Sequence, residues 1–109
     1  MNFNALLRDY YDNNLQMESG LPSVQYCADK LCLSSNYFGD VVKRMTGDTA
    51  SNYIRQFIVQ CAKNKLADGM TVAQAAYDLG FDYPQHLSRM FRMQTGMTPS
   101  QYCNKFRRK

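Results

Sequence analysis

The segment Val72-Ala73-Gln74-Ala75-Ala76-Tyr77-Asp78-Leu79-Gly80-Phe81 decides the fold, together with Leu87-Ser88-Arg89-Met90-Phe91-Arg92 and Thr95-Gly96-Met97-Thr98-Pro99 that follow it. Val72, Ala75, Ala76 and Leu79 recur at three and four, the period of a helix with one buried face. Thr71 stands where an N-cap belongs, which predicts a short helix over 72–79. Gly80-Phe81-Asp82 reads as a tight connection. Pro84 falls in the first turn of the next helix, where its missing N–H costs nothing. Leu87, Met90 and Phe91 carry the inward face to about Gln94, and Thr95-Gly96 ends the helix with a left-handed glycine. Thr98-Pro99 is an N-cap and N1 pair for a last helix, 99–106. A short helix, a tight turn and a longer helix make a helix-turn-helix.

The same pattern stands once more upstream. Ala28, Leu31, Cys32 and Leu33 correspond to Ala76, Leu79, Gly80 and Phe81 at a spacing of 48. Phe38, Val42, Lys43, Thr46-Gly47, Thr49 and Tyr53 correspond to Leu87, Phe91, Arg92, Thr95-Gly96, Thr98 and Tyr102 at a spacing of 49. The chain is therefore a duplicated unit with one residue inserted in a connection. In the first unit Ser23 caps a helix near 24–31, with Val24, Cys27, Ala28 and Leu31 inward. Ser34 caps a second helix over 35–46, with Phe38, Val41, Val42 and Met45 inward. Thr49 or Asp48 starts a long connecting helix, about 50–68, striped by Tyr53, Ile54, Phe57, Ile58, Cys61, Ala62 and Leu66. Its roughly 28 Å is comparable with the ~34 Å between successive major grooves on one side of a duplex. Ahead of the first unit, Phe3, Leu6, Leu7, Tyr10 and Tyr11 predict an amphipathic helix over 3–17, broken by Glu18-Ser19-Gly20-Leu21-Pro22.

The expected architecture is all-α, with about seven helices: a helical lead-in (1–20) and one domain (21–109). That domain holds a first helix-turn-helix (23–47), the connecting helix, a second helix-turn-helix (71–96) and the last helix. A helical bundle of duplicated ancestry with no nucleic-acid role would show the same apolar stripes. It leaves unexplained why basic residues follow the repeat, with Lys43-Arg44 and Arg89, Arg92 at or near matching positions.

Composition narrows the function. The 109 residues are 45% hydrophobic and 20% charged, with three Pro and six Gly, which excludes disordered and collagen-like chains. Apolar runs are too short for a membrane span, and Met1-Asn2-Phe3-Asn4 lacks the basic-then-apolar pattern of a signal peptide. The net charge of +4 divides unevenly: −3 over residues 1–42 and +7 over 43–109. That bias suits an anionic polymer, or simply a solvated surface. One histidine, His86, and four cysteines without a CxxC pair offer neither a metal cluster nor a nucleophile–base pair, so neither an enzyme nor a cofactor is expected.

The second unit, with Ala76, Gly80-Phe81, Leu87, Phe91-Arg92 and Gly96-Met97-Thr98-Pro99 at these offsets, resembles the C-terminal signature of AraC/XylS-type transcription regulators. The first unit, Ala28 through Tyr53, agrees with that family's first helix-turn-helix, and the resemblance covers about 21–106. It departs at Gln85, His86 and Leu87, where the family often has Ser and an aromatic pair. Ala75 and Val42 replace a larger Ile and Phe.

The resemblance implies sequence-specific binding to double-stranded DNA in the cytoplasm, with the second helix of each unit in a major groove. The base-facing positions it carries over are Asn36, Gly39 and Asp40 in the first unit, and Pro84, Gln85, Ser88 and Arg89 in the second. Arg89 can bond bidentately to guanine, and Gln85 or Asn36 to adenine; Asp40 can accept from cytosine. Gly39 and Pro84 bring no donor. Lys43, Arg44 and Arg92, with the N-caps Ser34 and Thr98, suit phosphate contacts. The resemblance further implies an N-terminal effector or dimerisation domain joined to this module; the alternative is a stand-alone regulator. The rival class is an interaction module of the same fold that contacts RNA polymerase or another regulator.

Other residues have plainer readings. Cys27 and Cys61 lie on apolar stripes as reduced thiols, and His86 suits a structural or phosphate-contacting place. Met90, Met93 and Met97 are expected as core filler. Tyr10, Tyr11, Tyr53 and Tyr102 are expected between helices, and Arg107-Arg108-Lys109 as a solvated end or weak phosphate contact.

Overall fold

The computed structural model describes residues 3–106, and the side chains of 3–105. Eight helices follow in order: α1 (Phe3–Asp12), α2 (Gln16–Ser19), α3 (Val24–Lys30), α4 (Ser35–Thr46), α5 (Ala50–Ala67), α6 (Val72–Leu79), α7 (Pro84–Thr95) and α8 (Pro99–Phe106). The Arg107-Arg108-Lys109 reading lies outside the described residues.

The helix starts follow their side-chain chemistry. The hydroxyls of Ser23, Ser34, Thr49 and Thr71 accept from the backbone N–H groups of Tyr26, Tyr37, Asn52 and Gln74. Each such cap is worth about 1 kcal/mol. Thr71 and Gln74 close a reciprocal capping box. Thr98 and Gln101 make the same pair of bonds, at 2.9 and 3.2 Å.

The duplication is legible atom by atom. Thr46 Oγ1 donates to the Val42 carbonyl at 2.7 Å, and Thr95 Oγ1 to the Phe91 carbonyl at 2.8 Å. The same hydroxyls accept from the N–H groups of Asp48 and Met97, both at 3.2 Å. Gly47 and Gly96 end α4 and α7 with φ of 80° and 83°. Both turn-closing bonds also recur, Leu33 N–H to Ala28 and Phe81 N–H to Ala76.

α5 is the shared spine. Five of its six buried positions, Ala50, Ile54, Ile58, Ala62 and Leu66, stand four apart, with Val59 beside them. Each such step advances about 40° around a helix of 3.6 residues per turn, so the buried stripe winds along α5. Ala50 and Ile54 line one small pocket with Phe38, Val42, Cys27 and Leu7, and α5 also packs on α6, α7 and α8. One core joins Phe3 and Leu7 to Phe38, Ile58, Leu66, Leu79, Leu87 and Phe91. The smaller Val42 and Ala75 are buried within it.

Three expectations need correction. The single helix over 3–17 is two, which makes eight among the described residues instead of about seven. Asn14 takes φ of 57°, a conformation asparagine tolerates well, and the chain re-enters a helix with Gln16 buried. Met45 is 59% exposed and Met93 79% exposed, so neither fills the core. Both lie where an apolar side chain continues the spacing past the face that its neighbours cover.

Candidate nucleic-acid interface

Each unit presents the outer face of its second helix. On α4, Asn36, Asp40, Lys43 and Arg44 are exposed and Gly39 is half-buried. Ser34 holds the helix start with its Oγ bonded to Tyr37 N–H at 3.1 Å. Ser35 Oγ donates to Gln25 Oε1 at 2.9 Å, and Gln25 Nε2 donates to Asp29, so α4 is locked to α3 on its polar side too. On α7, Gln85, Arg89 and Arg92 are exposed, and Ser88 and Pro84 are half-buried. The α7 N-cap is Tyr83, in extended backbone with no side-chain cap bond. Its ring meets exposed His86 edge-on at 5.5 Å.

The sequence-selected residues thus fall into two sets, one per unit. Asn36, Asp40, Lys43, Arg44 and Ser34 belong to α4 and its cap. Gln85, Ser88, Arg89 and Arg92 belong to α7, and Thr98 to the start of α8. The Ser34 and Thr98 hydroxyls are engaged as acceptors in their caps, and an O–H that accepts can still donate outward.

One residue escaped the sequence reading. Arg55, on the exposed side of α5, lines a groove of about 530 Å³ with His86, Arg89, Met90, Met93, Asn52 and Gln94. The apolar stripe of α5 conceals it, because only the docking of α7 shows which polar side of α5 faces the second unit. Gln94 Nε2 donates to Asn52 Oδ1 at 2.9 Å and fixes that docking. No carboxylate lines this groove. The nearest one along α5, Asp48, is occupied by Thr49 N–H, Asn52 Nδ2 and Gln56 Nε2. Among the described residues Lys43, Arg44, Arg55, Arg89 and Arg92 enter no ion pair; the pair Lys65–Asp78 lies elsewhere, between α5 and α6. The exposed helix faces therefore keep their positive charge available to an anion.

The remaining candidates have structural places. Tyr10 is buried, and Tyr11, Tyr53 and Tyr102 are half-buried in ring contacts with Tyr26, Phe57, Phe3 and Phe91. Burial pushes the Cys27 thiol up to about 11 and raises the Cys61 thiol as well, partly offset by Lys65. Among the described residues no His, Cys, Asp or Glu cluster could hold a metal ion, and no helix is long and apolar enough to cross a membrane.

Comparison with known proteins gives a consistent picture. A family model described as a helix-turn-helix domain matches residues 27–105. An uncharacterised transcriptional regulatory protein of Bacillus subtilis, YesN, is 33% identical over 80 residues, 71% of this chain. The chain spans only 22% of that protein's length. Among solved structures, the C-terminal domain of the two-component response regulator yesN from Fusobacterium nucleatum superposes with a TM-score of 0.73 at 22% identity, covering 94% of this chain and 98% of that one. The DNA-binding domain of AdpA, a global transcriptional factor solved in complex with a target DNA, also gives 0.73, at 23% identity and with 95% and 92% covered.

Proposed function

Because the chain belongs to the AraC-type helix-turn-helix family, we propose that it binds double-stranded DNA sequence-specifically as the DNA-binding module of a transcription regulator, α4 and α7 entering adjacent major grooves. The observation that carries this reading is the matched pair itself. Two helices with the same hydroxyl-and-glycine stop each expose a polar face, and their cations have no carboxylate to satisfy them. An α5 of 18 residues, about 27 Å long, is a suitable strut for grooves ~34 Å apart.

The roles divide by chemistry. Arg89 reads guanine, Gln85 and Asn36 read adenine, Ser88 reads either, and Asp40 accepts from cytosine, each good pair discriminating by about 1–3 kcal/mol. Lys43, Arg44 and Arg92, with Arg55 added, hold phosphates, and the Ser34 and Thr98 hydroxyls donate to phosphates from helix starts. The second unit reads bases more strongly, since Gly39 gives α4 no donor and Asp40 is repelled by phosphates. A module of this kind works in the cytoplasm.

Selection of bound duplexes from a random pool tests the reading. An enriched site with two elements about 10 base pairs apart is expected; failure to enrich any sequence overturns it. The weak base chemistry of α4 favours one rival, an interaction module that contacts RNA polymerase. That rival predicts no steep fall of duplex affinity with salt.

A further inference from the structure

Resting on that two-groove reading, we infer that residues 3–20 brace the two units against each other and set the separation of the recognition helices, with Tyr11 and Gln16 as the positioning residues. The front of this segment is fastened to the first unit. The Phe3 ring meets Phe38 of α4 edge-on at 5.1 Å and Tyr53 of α5 at 5.7 Å. Tyr53 OH donates to Asn4 Oδ1 at 2.7 Å.

The rear is fastened to the second unit, at one particular place. The last carbonyls of any helix lack intrahelical partners. Those of Ala76 and Tyr77 accept from Phe81 and Gly80 N–H. Those of Asp78 and Leu79 are taken by the lead-in: Gln16 Nε2 donates to Asp78 at 3.1 Å, and Tyr11 OH to Leu79 at 3.0 Å. Two lead-in side chains thus cap the helix that precedes α7. Beside them, backbone meets backbone. A Cβ on Gly80 would stand 2.9 Å from the Gly20 carbonyl carbon, and Tyr10 OH pins the Gly20 carbonyl at 2.7 Å.

Gln16 marks the priority of this link. The residue is 6% exposed, and its Oε1 is buried with no partner. Leaving a buried acceptor unmet is unfavourable, yet the amide stays, with its other end on Asp78. A brace is needed because α5 alone is a single axle. At a helix separation of about 8–10 Å, a swing of α7 about α5 by roughly 20° shifts it by about the 3.4 Å rise of one base pair. Outside α5, the ties of the lead-in reach both units, whereas a groove lined by Leu21, Val24, Ile54, Ile58 and Met90 opens between them.

The test uses Tyr11→Phe, Gln16→Met and the double variant on the selected duplex, on versions with one base pair added or removed between its two elements, and on a duplex carrying the second element alone. Gln16→Met removes the unmet buried carbonyl but leaves the Asp78 carbonyl without its donor, so the two effects oppose one another and only a modest change in melting temperature is expected. Wild-type affinity is expected to fall about tenfold for a one-base-pair change. In the double variant that fall shrinks to about threefold or less, while single-element affinity stays within about twofold of wild type. Should the double variant fail to fold, Tyr11→Phe, which loses one hydroxyl, carries the same comparison. A variant that keeps the wild-type spacing profile overturns the brace alone. A wild-type protein indifferent to spacing overturns the brace and the two-groove reading together.

Discussion

Cys32 holds in the first turn the place that Gly80 holds in the second. Both have positive φ, 58° and 102°, and the next N–H returns to an alanine carbonyl in each case, at 2.9 and 3.0 Å. The surroundings differ: Cys32 is exposed, whereas Gly80 abuts Gly20. A left-handed residue with a Cβ costs ~1–2 kcal/mol, and glycine's looser unfolded chain offsets about 0.4–1 of that. Cys32→Gly should therefore stabilise the fold by up to ~1.5 kcal/mol. Gly80→Ala adds strain and a backbone collision and should cost roughly 2–6 kcal/mol. Denaturant unfolding reads both; changes of equal size would refute the Gly20 contact.

Phe91 is fully buried and meets Tyr102 at 5.4 Å. Phe91→Ala should cost about 3–5 kcal/mol by emptying that site. An unchanged thermal melt would contradict its burial.

Arg89 and Arg55 line one groove but are assigned different work. Arg89→Ala should flatten the preference among duplex sequences at one position by about 1–3 kcal/mol. Arg55→Ala should weaken all duplexes alike and reduce the salt slope by about one. Equal weakening of every sequence by Arg89→Ala would make it a phosphate anchor instead.

Alkaline stability should fall. The Cys27 thiol is held protonated up to about 11 against 9.0 when exposed, and burial raises Tyr11 also. The neutral form is the folded form. Its contribution is complete below pH 9 and is lost as pH rises toward 11. Urea midpoints should drop across that window, and at pH 8 an alkylating reagent should modify exposed Cys32 well before Cys27. Equal labelling rates would sink the assignment.

Much of the fold was legible because local chemistry and tertiary packing agree. Ser23, Ser34, Thr49 and Thr71 cap where their sequence positions say they should, and Gly47 and Gly96 stop where expected. The break at Asn14 was hidden because Tyr11 and Leu15 keep a helical spacing across it. Met45 and Met93 were misread because periodicity locates a face but not how far a neighbour covers it. The exposure of Asn36, Asp40, Gln85 and Arg89 on α4 and α7 followed from their place opposite the apolar stripes. The place of Arg55 in its groove did not, since a polar residue on α5 gains its meaning from the helix docked beside it. Gln16 was invisible for the opposite reason: an amide looks like surface until the Asp78 carbonyl it serves is known.

The unpaired cations of α4, α5 and α7 separate what holds the molecule together from what it would hold. No carboxylate in the described chain relies on Lys43, Arg44, Arg55, Arg89 or Arg92. Ionic strength can therefore strip the protein from a charged polymer while the folded shape persists, so release from a charged surface can be reversed by dilution, without refolding.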